Sequence, residues 1–225
     1  MSDLSERKSF RLTLSEQIKE QLIEDIFHHK YQAGDKIVES ALAKQLGVSQ
    51  ASVREALKSL TAMGFLESEP YKGITVRELT HKDLWEVYTV RAALESLAAE
   101  LAAHRITEEQ LEELSDITER MIEAGKQGDV ARRSRLNIEF HRTVMKASGN
   151  KLILKLFEYM QFDSWSLMTS NLSTMDSVEI AARHKGVIEA LRSGDPQFAA
   201  ERMRDHIETA GKPIAENLAA GEDEI

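Results

Sequence analysis

Leu42-Ala-Lys-Gln-Leu-Gly-Val-Ser-Gln-Ala-Ser-Val-Arg-Glu-Ala-Leu57 decides the reading of the chain. Gly47 stands where a helix from about Glu39 to Leu46 needs a left-handed residue to stop. Ser49 is a good N-cap for the next helix, which runs to about Met63 and is closed by Gly64. Two helices joined by so short a Gly-containing turn have helix-turn-helix spacing. Upstream, residues 14–29 read as an amphipathic helix with Ile18, Leu22, Ile23, Ile26 and Phe27 on one side. Tyr31 to Asp35 break it, and Lys36-Ile-Val38 leads into the quoted stretch. Downstream, Phe65–Glu69, then Pro70-Tyr-Lys-Gly73, then Ile74-Thr-Val76 read as strand, turn, strand. Residues 1–78 are therefore predicted as three helices and a hairpin.

Beyond Val76 the pattern is helical throughout. Thr80 and Asp83 predict an N-terminal cap for a long helix to about His104, and Thr107 with Gln110 predict another to about Lys126. Gly128-Asp129 precede a helix over Val130–Ala147. Gly149-Asn150 precede an apolar helix with Leu152, Leu156, Phe157 and Met160, continuing towards Leu172. Asp176 starts a helix to about Arg192. Pro196 opens a last one to about Leu218, leaving residues 220–225 as a loose tail. Residues 79–225 thus read as an all-helical antiparallel bundle.

Composition narrows the function classes. The chain has 225 residues, 42% hydrophobic and 30% charged, enough apolar material to exclude disorder throughout. It has no cysteine, which excludes disulfides, thiolate metal sites and cysteine nucleophiles, and fits a cytoplasmic location. No apolar run is long enough for a membrane span, and the polar Met1–Lys8 start is unlike a secretory signal. The net charge is −9. Residues 1–78 carry 11 basic and 12 acidic side chains, so almost all of the acidity lies in the second part. A near-neutral first module retains room for a local basic face.

Three groups of residues carry potential chemistry. The first is Ser49, Gln50, Ala51, Ser52 and Arg54. In a helix-turn-helix the first turn of the second helix faces base edges in the major groove. Short side chains permit close approach, Gln bonds an adenine edge in two places, and Arg54 can hold a guanine or a phosphate. Lys44 and Lys58 would add phosphate contacts, and Lys72 and Gly73 at the hairpin tip would reach the adjacent groove or backbone. The second group is His141, His184 and His206, on three different predicted helices, with Asn137 one turn before His141 on the same face. Imidazoles converging inside a bundle suit a divalent cation such as Zn, Ni, Mn or Fe; equally, each is an ordinary core or surface histidine. The third is Arg91, in an apolar run with Tyr88 one turn before and Glu95 one turn after. It reads either as a cation paired with Glu95 or as one awaiting a carboxylate. Arg132, Arg133 and Arg135 read as a solvated helix face. No Gly-rich phosphate loop, G-x-S-x-G or H-E-x-x-H is present.

Leu42 to Leu57, followed by Leu60, Gly64, Pro70, Gly73 and Val76, closely resembles the winged helix-turn-helix of GntR-family bacterial transcription regulators. Arg91-x-x-Leu-Glu95, Phe140-His141, His184 and His206 resemble the C-terminal effector-binding (FCD) domain of that family's FadR-like branch. The resemblance covers nearly the whole chain. It implies a homodimer that binds a pseudo-palindromic DNA operator as a repressor or an activator, and responds to a small metabolite, often a carboxylic acid. It also implies a metal site of one Asp and three His. Here His141, His184 and His206 match, and Asn137 stands at the Asp position, where a neutral amide oxygen is the poorer ligand. Arg91, with Tyr88, matches a position facing the effector cavity. Where the family often has Arg and Pro, this chain has Gln50 and Ser52. Two rival readings are a metal-dependent enzyme, for which no acid or base is seen beside the cation (Glu139 should face elsewhere), and a helical interaction protein without regulatory activity.

Overall fold

A computed structural model describes residues 13–69, 73–78, 80–160, 162–170, 173 and 175–222. The chain separates into two compact units, Met1–Glu78 and Leu79–Ile225.

The first unit contains α1 (Leu14–Phe27), β1 (Lys36–Ile37), α2 (Glu39–Leu46), α3 (Gln50–Ala62), β2 (Leu66–Glu69) and β3 (Gly73–Val76). A capping box built on Thr13 and Glu16 starts α1. Gly47 ends α2 at φ 67°, a left-handed conformation that a Cβ disfavours. Ser49 then accepts the Ser52 N–H and starts α3. Val53, Ala56, Leu57 and Leu60 form the buried stripe of α3, at the i, i+3, i+4, i+7 spacing of an amphipathic helix. They join Ile18 and Leu22 of α1 and Leu42 of α2 in the core of this unit. The sheet has three strands in the order β1-β3-β2, all antiparallel, rather than the two strands of a hairpin. Lys36 pairs with Thr75 and Ile37 with Ile74. A two-residue strand is too short to show alternation, so its sequence carries no strand signal.

The second unit contains α4 (His81–Ala103), α5 (Glu108–Lys126), α6 (Val130–Ala147), α7 (Lys151–Tyr159), α8 (Phe162–Ser170), α9 (Ser177–Ala182), α10 (His184–Arg192) and α11 (Pro196–Glu222). Capping boxes at Thr80 and Thr107 begin α4 and α5. The side chains of Asp129, Asn150 and Asp176 cap α6, α7 and α9. The inner face of α4 is lined with Ala92, Ala99, Ala102 and Ala103, buried with Leu114 and Met121 of α5, Phe140 and Val144 of α6 and Met203 of α11. Small residues let α11 lie close along α4. At Gly211 a Cβ would stand 2.5 Å from Cγ of the Tyr88 ring.

Three boundaries differ from the sequence reading. The apolar stretch after Asn150 is two helices, α7 and α8, because Met160 closes α7 and Phe157 packs edge-on against Phe162, with ring centroids 5.4 Å apart. Its buried face is Ile153 and Phe157, while Leu152 and Leu156 are exposed. The stretch after Asp176 is also two helices. The Ala181 carbonyl there accepts a bond from the His184 ring, and Gly186 N–H turns to the Arg183 carbonyl, a tighter i→i+3 bond. Finally, α11 extends to Glu222. Ala219 and Ala220 are strong helix formers, and one Gly near a helix end costs only about 1 kcal/mol. Residues 220–222 therefore belong to the helix, and residues 223–225 lie outside the described residues.

Candidate functional site

The exposed N-terminal turn of α3 and the packed interior of the second unit hold the two residue groups of interest. On α3, Ser49, Gln50, Ala51 and Arg54 are exposed and Ser52 is half-buried, while Val53 and Leu57 anchor the opposite face. Lys44 and Lys58 are also exposed. Ser49 Oγ is occupied as the cap, which leaves the early backbone N–H groups of α3 to meet an anion. Arg54 differs from a free cation. Its Nε and Nη2 donate to the two carboxylate oxygens of Glu39 at 3.0 and 2.7 Å. The hydrogen bond to Arg54 holds the Glu39 carboxyl below its ordinary range and raises the guanidinium. Two of five N–H donors are thus engaged, and the fork is held in place with its remaining edge outward. Gly73, at φ 94°, is exposed at the start of β3. Lys72 lies outside the described residues.

In the second unit α6, α10 and α11 bring His141, His184 and His206 together. All three are buried, and one ring nitrogen of each lies within 4.8 Å of the others. The His184 and His206 ring centroids are 4.4 Å apart. Nδ1 of His184 is 3.0 Å from the Ala181 carbonyl, which can only accept, so a proton on Nδ1 satisfies this contact. Its Nε2 lone pair then faces Asn137 Oδ1 at 3.0 Å, while Asn137 Nδ2 donates to Ser166 Oγ at 3.3 Å. Two acceptors so close are satisfied by a cation beside them or by turning the amide over. Burial, followed by the nearby His141, pushes the His184 ring down to about 3. Burial, followed by His184 and His141, pushes His206 well below its ordinary value. Neutral imidazoles are the form that ligates metals.

Behind His141 lies Glu95, whose Oε2 is 2.6 Å from Nδ1, though not aligned as a directed hydrogen bond. Arg91 Nε donates to the other carboxylate oxygen at 2.8 Å. Burial alone would raise the Glu95 carboxyl; the charges of Arg91 and His141 outweigh it and hold it down at about 2. A carboxylate behind one imidazole and a carbonyl behind another is the arrangement that orients metal-binding histidines. His206 Nδ1 is buried with no hydrogen-bond partner. The donor set therefore fits a divalent cation, with His141, His184 and His206 as the nitrogen donors and the Asn137 oxygen beside them. Of the two readings of Arg91, pairing with Glu95 is the one observed.

The cluster opens on a cavity of about 60 Å³ between α4, α6, α8 and α11. Tyr88, Arg91, Asn137, His141 and His206 line it. So does Arg133, contrary to the expectation of a solvated face. Only 5% exposed, it projects inward because it lies one and two turns before Asn137 and His141 on the same side of α6. The i, i+4, i+8 spacing of Arg133, Asn137 and His141 was the signal in the sequence that could have found it. Glu139 faces elsewhere, half-buried and near Arg120.

Residues 14–76 match the family described as "Bacterial regulatory proteins, gntR family", and residues 86–209 match the FCD domain. The chain is 31% identical to the "Probable D-xylose utilization operon transcriptional repressor" of Paenarthrobacter nicotinovorans, over 91% of this chain and 90% of that protein. It is 30% identical to the HTH-type transcriptional regulator YdhC of Bacillus subtilis (strain 168), over 84% and 86%. Among solved structures, E. coli McbR/YncC superposes with a TM-score of 0.71 at 21% identity, covering 91% of this chain and 98% of that one. No helix among the described residues is long and apolar enough to cross a membrane.

Proposed function

This chain belongs to the GntR family of bacterial regulatory proteins, with an FCD domain behind its winged helix-turn-helix, and on that footing we propose that it is a ligand-responsive transcription repressor of the cytoplasm. It binds a pseudo-palindromic DNA operator as a homodimer and answers to a small carboxylate metabolite. The observation that carries the DNA half is the first turn of α3, where Gln50, Ala51 and the braced Arg54 are exposed and Ser52 is half-buried. Gln50 supplies an adenine contact, Arg54 a guanine or phosphate contact, and Ser49, Lys44, Lys58, Lys72 and Gly73 hold the backbone. Leu152, Leu156 and Tyr159 support a dimer. They form an i, i+4, i+7 stripe on α7 that is 64%, 42% and 80% exposed.

The effector half rests on the buried cluster. His141, His184, His206 and Asn137 would hold a divalent cation, Zn, Ni, Mn or Fe, which supplies a positive charge for an acid to coordinate. The amide of Asn137 lends this site one negative charge fewer than a carboxylate would, and Arg91 and Tyr88 close the cavity wall. Effector binding favours one arrangement of the helices around the cavity. Only residues 77–79 lie between β3 and the Thr80 cap of α4, so a change in α4 reaches the DNA-binding module through a short connection. The two recognition helices of a dimer must match the DNA repeat, and a small change in their spacing lowers affinity.

Selection of bound DNA from a random pool tests this reading. It should enrich an inverted repeat, and Arg54→Ala should bind that DNA more weakly while keeping its fold. No enriched motif, with or without acids and divalent ions, would overturn the proposal.

A further inference from the structure

Arg133 and Ser134 are neighbours on α6, and both line the cavity beside the histidine cluster. Both are buried, at 5% and 3% exposure. Nε of Arg133 has no hydrogen-bond partner, and neither has Oγ of Ser134. The other arginine of the cavity, Arg91, is neutralised by Glu95. No Asp or Glu is among the described residues that line the cavity. Arg133 is therefore its one uncompensated positive charge among the described residues. Burial lowers its guanidinium from the ordinary value, and only the nearby Tyr88 phenol offsets this. A buried cation and a buried hydroxyl, both unpaired and side by side, are costly unless something meets them.

The geometry points to Arg133 and Ser134 as the carboxylate-binding end of the effector cavity, and to a short organic acid as the class of ligand. The guanidinium offers a planar fork to two carboxylate oxygens, and the hydroxyl donates to one of them. Arg133 lies one turn, about 6 Å along the helix axis, from Asn137. An acid anchored on Arg133 therefore directs its other end towards Asn137 and the histidines. A cavity of about 60 Å³ has room for roughly half a dozen water-sized groups. That favours acids of two to four carbons over sugars or acyl chains. This assignment rests on the effector reading above and makes it specific: Arg133, rather than the already paired Arg91, recognises the anion.

The test uses the full-length protein loaded with Zn or Mn. Lactate, malonate and succinate are titrated by calorimetry, with lactamide as the neutral control and inorganic phosphate as the rival anion. At least one of the acids should bind, and lactamide should not. Arg133→Gln should weaken the acid at least tenfold and Ser134→Ala should weaken it several-fold. Because Arg133→Gln removes an unpaired buried charge, its Tm without acid should equal or exceed that of the parent. Acid should raise the parent's Tm, and at the same concentration should raise that of the variant less. If Arg133→Gln does not fold, Arg133→Lys, which keeps the charge but loses the fork, and Ser134→Ala carry the test. Equal acid binding by parent and variants, equal binding of lactamide, binding of phosphate alone, or no binding of any of these acids overturns the assignment. These outcomes are independent of DNA selection. A protein that enriches an operator yet binds acids without Arg133 keeps the regulator reading and loses this one.

Discussion

Arg54 meets Glu39 through two hydrogen bonds before any DNA arrives, so its side chain is ordered in advance and less rotamer entropy remains to be lost on binding. On the proposed reading, replacing Arg54 with Ala removes one base or phosphate contact worth about 1–3 kcal/mol. Binding to the selected DNA, followed by fluorescence anisotropy, should weaken by about tenfold to a hundredfold. The buried cluster gives two further predictions. Asn137→Asp adds a charged oxygen beside His184, so calorimetry should show divalent binding tightened by on the order of tenfold, about 1.4 kcal/mol. The histidines also make the metal-free protein sensitive to acid. Unfolded His184 takes up a proton near its ordinary 6.5, whereas the folded ring resists until about 3. The unfolded state thus binds more protons in that window, and stability falls as pH drops through it. Glu95 acts with the same sign between 4.5 and about 2. Thermal melts in chelator should show Tm declining steadily below pH 6.5. The residue types at this site were legible from the chain, since histidines on three helices and Asn137 one turn from His141 are visible in sequence. Arg133 was misread because the exposed Arg132 and Arg135 beside it pointed to a solvated face, although its four-residue spacing from Asn137 places it on the histidine side of α6.

The helices with side-chain caps and long apolar stripes, α3 to α6, match the sequence reading to within a residue or two, because capping and amphipathic spacing are local. The elements misread were those that long-range packing decides. β1 exists only because β3 lies beside it, and the break between α7 and α8 depends on Phe157 meeting Phe162. The gap between α9 and α10 depends on a ring bonding to a carbonyl. The turn between α2 and α3 is the element whose conformation positions α3, the helix proposed to read DNA. A Cβ on Gly47 would meet nothing within 4 Å, so substitution there tests backbone strain alone. Gly47→Ala should cost about 1–2 kcal/mol, the penalty of a left-handed residue with a side chain. Gly47→Asn should cost less, because Asn tolerates that conformation. Chemical denaturation followed by circular dichroism would give both values.

At the scale of the whole molecule, each unit has its own core and its own site. One holds an exposed helix end braced by an ion pair. The other holds a small cavity lined by His141, His206 and Asn137 and by the buried Arg133 and Ser134. The proposed regulation couples them thermodynamically: a ligand in the cavity would change the affinity of the proposed dimer for its operator, and the operator would change the affinity of the cavity by the same factor. Affinity for the selected inverted repeat, measured by anisotropy with and without saturating acid and divalent metal, tests that coupling. The prediction is a change of about 5- to 150-fold, the usual range for linked sites, reached in Arg133→Gln only at higher acid concentration. An affinity that stays the same when the cavity is filled would contradict it.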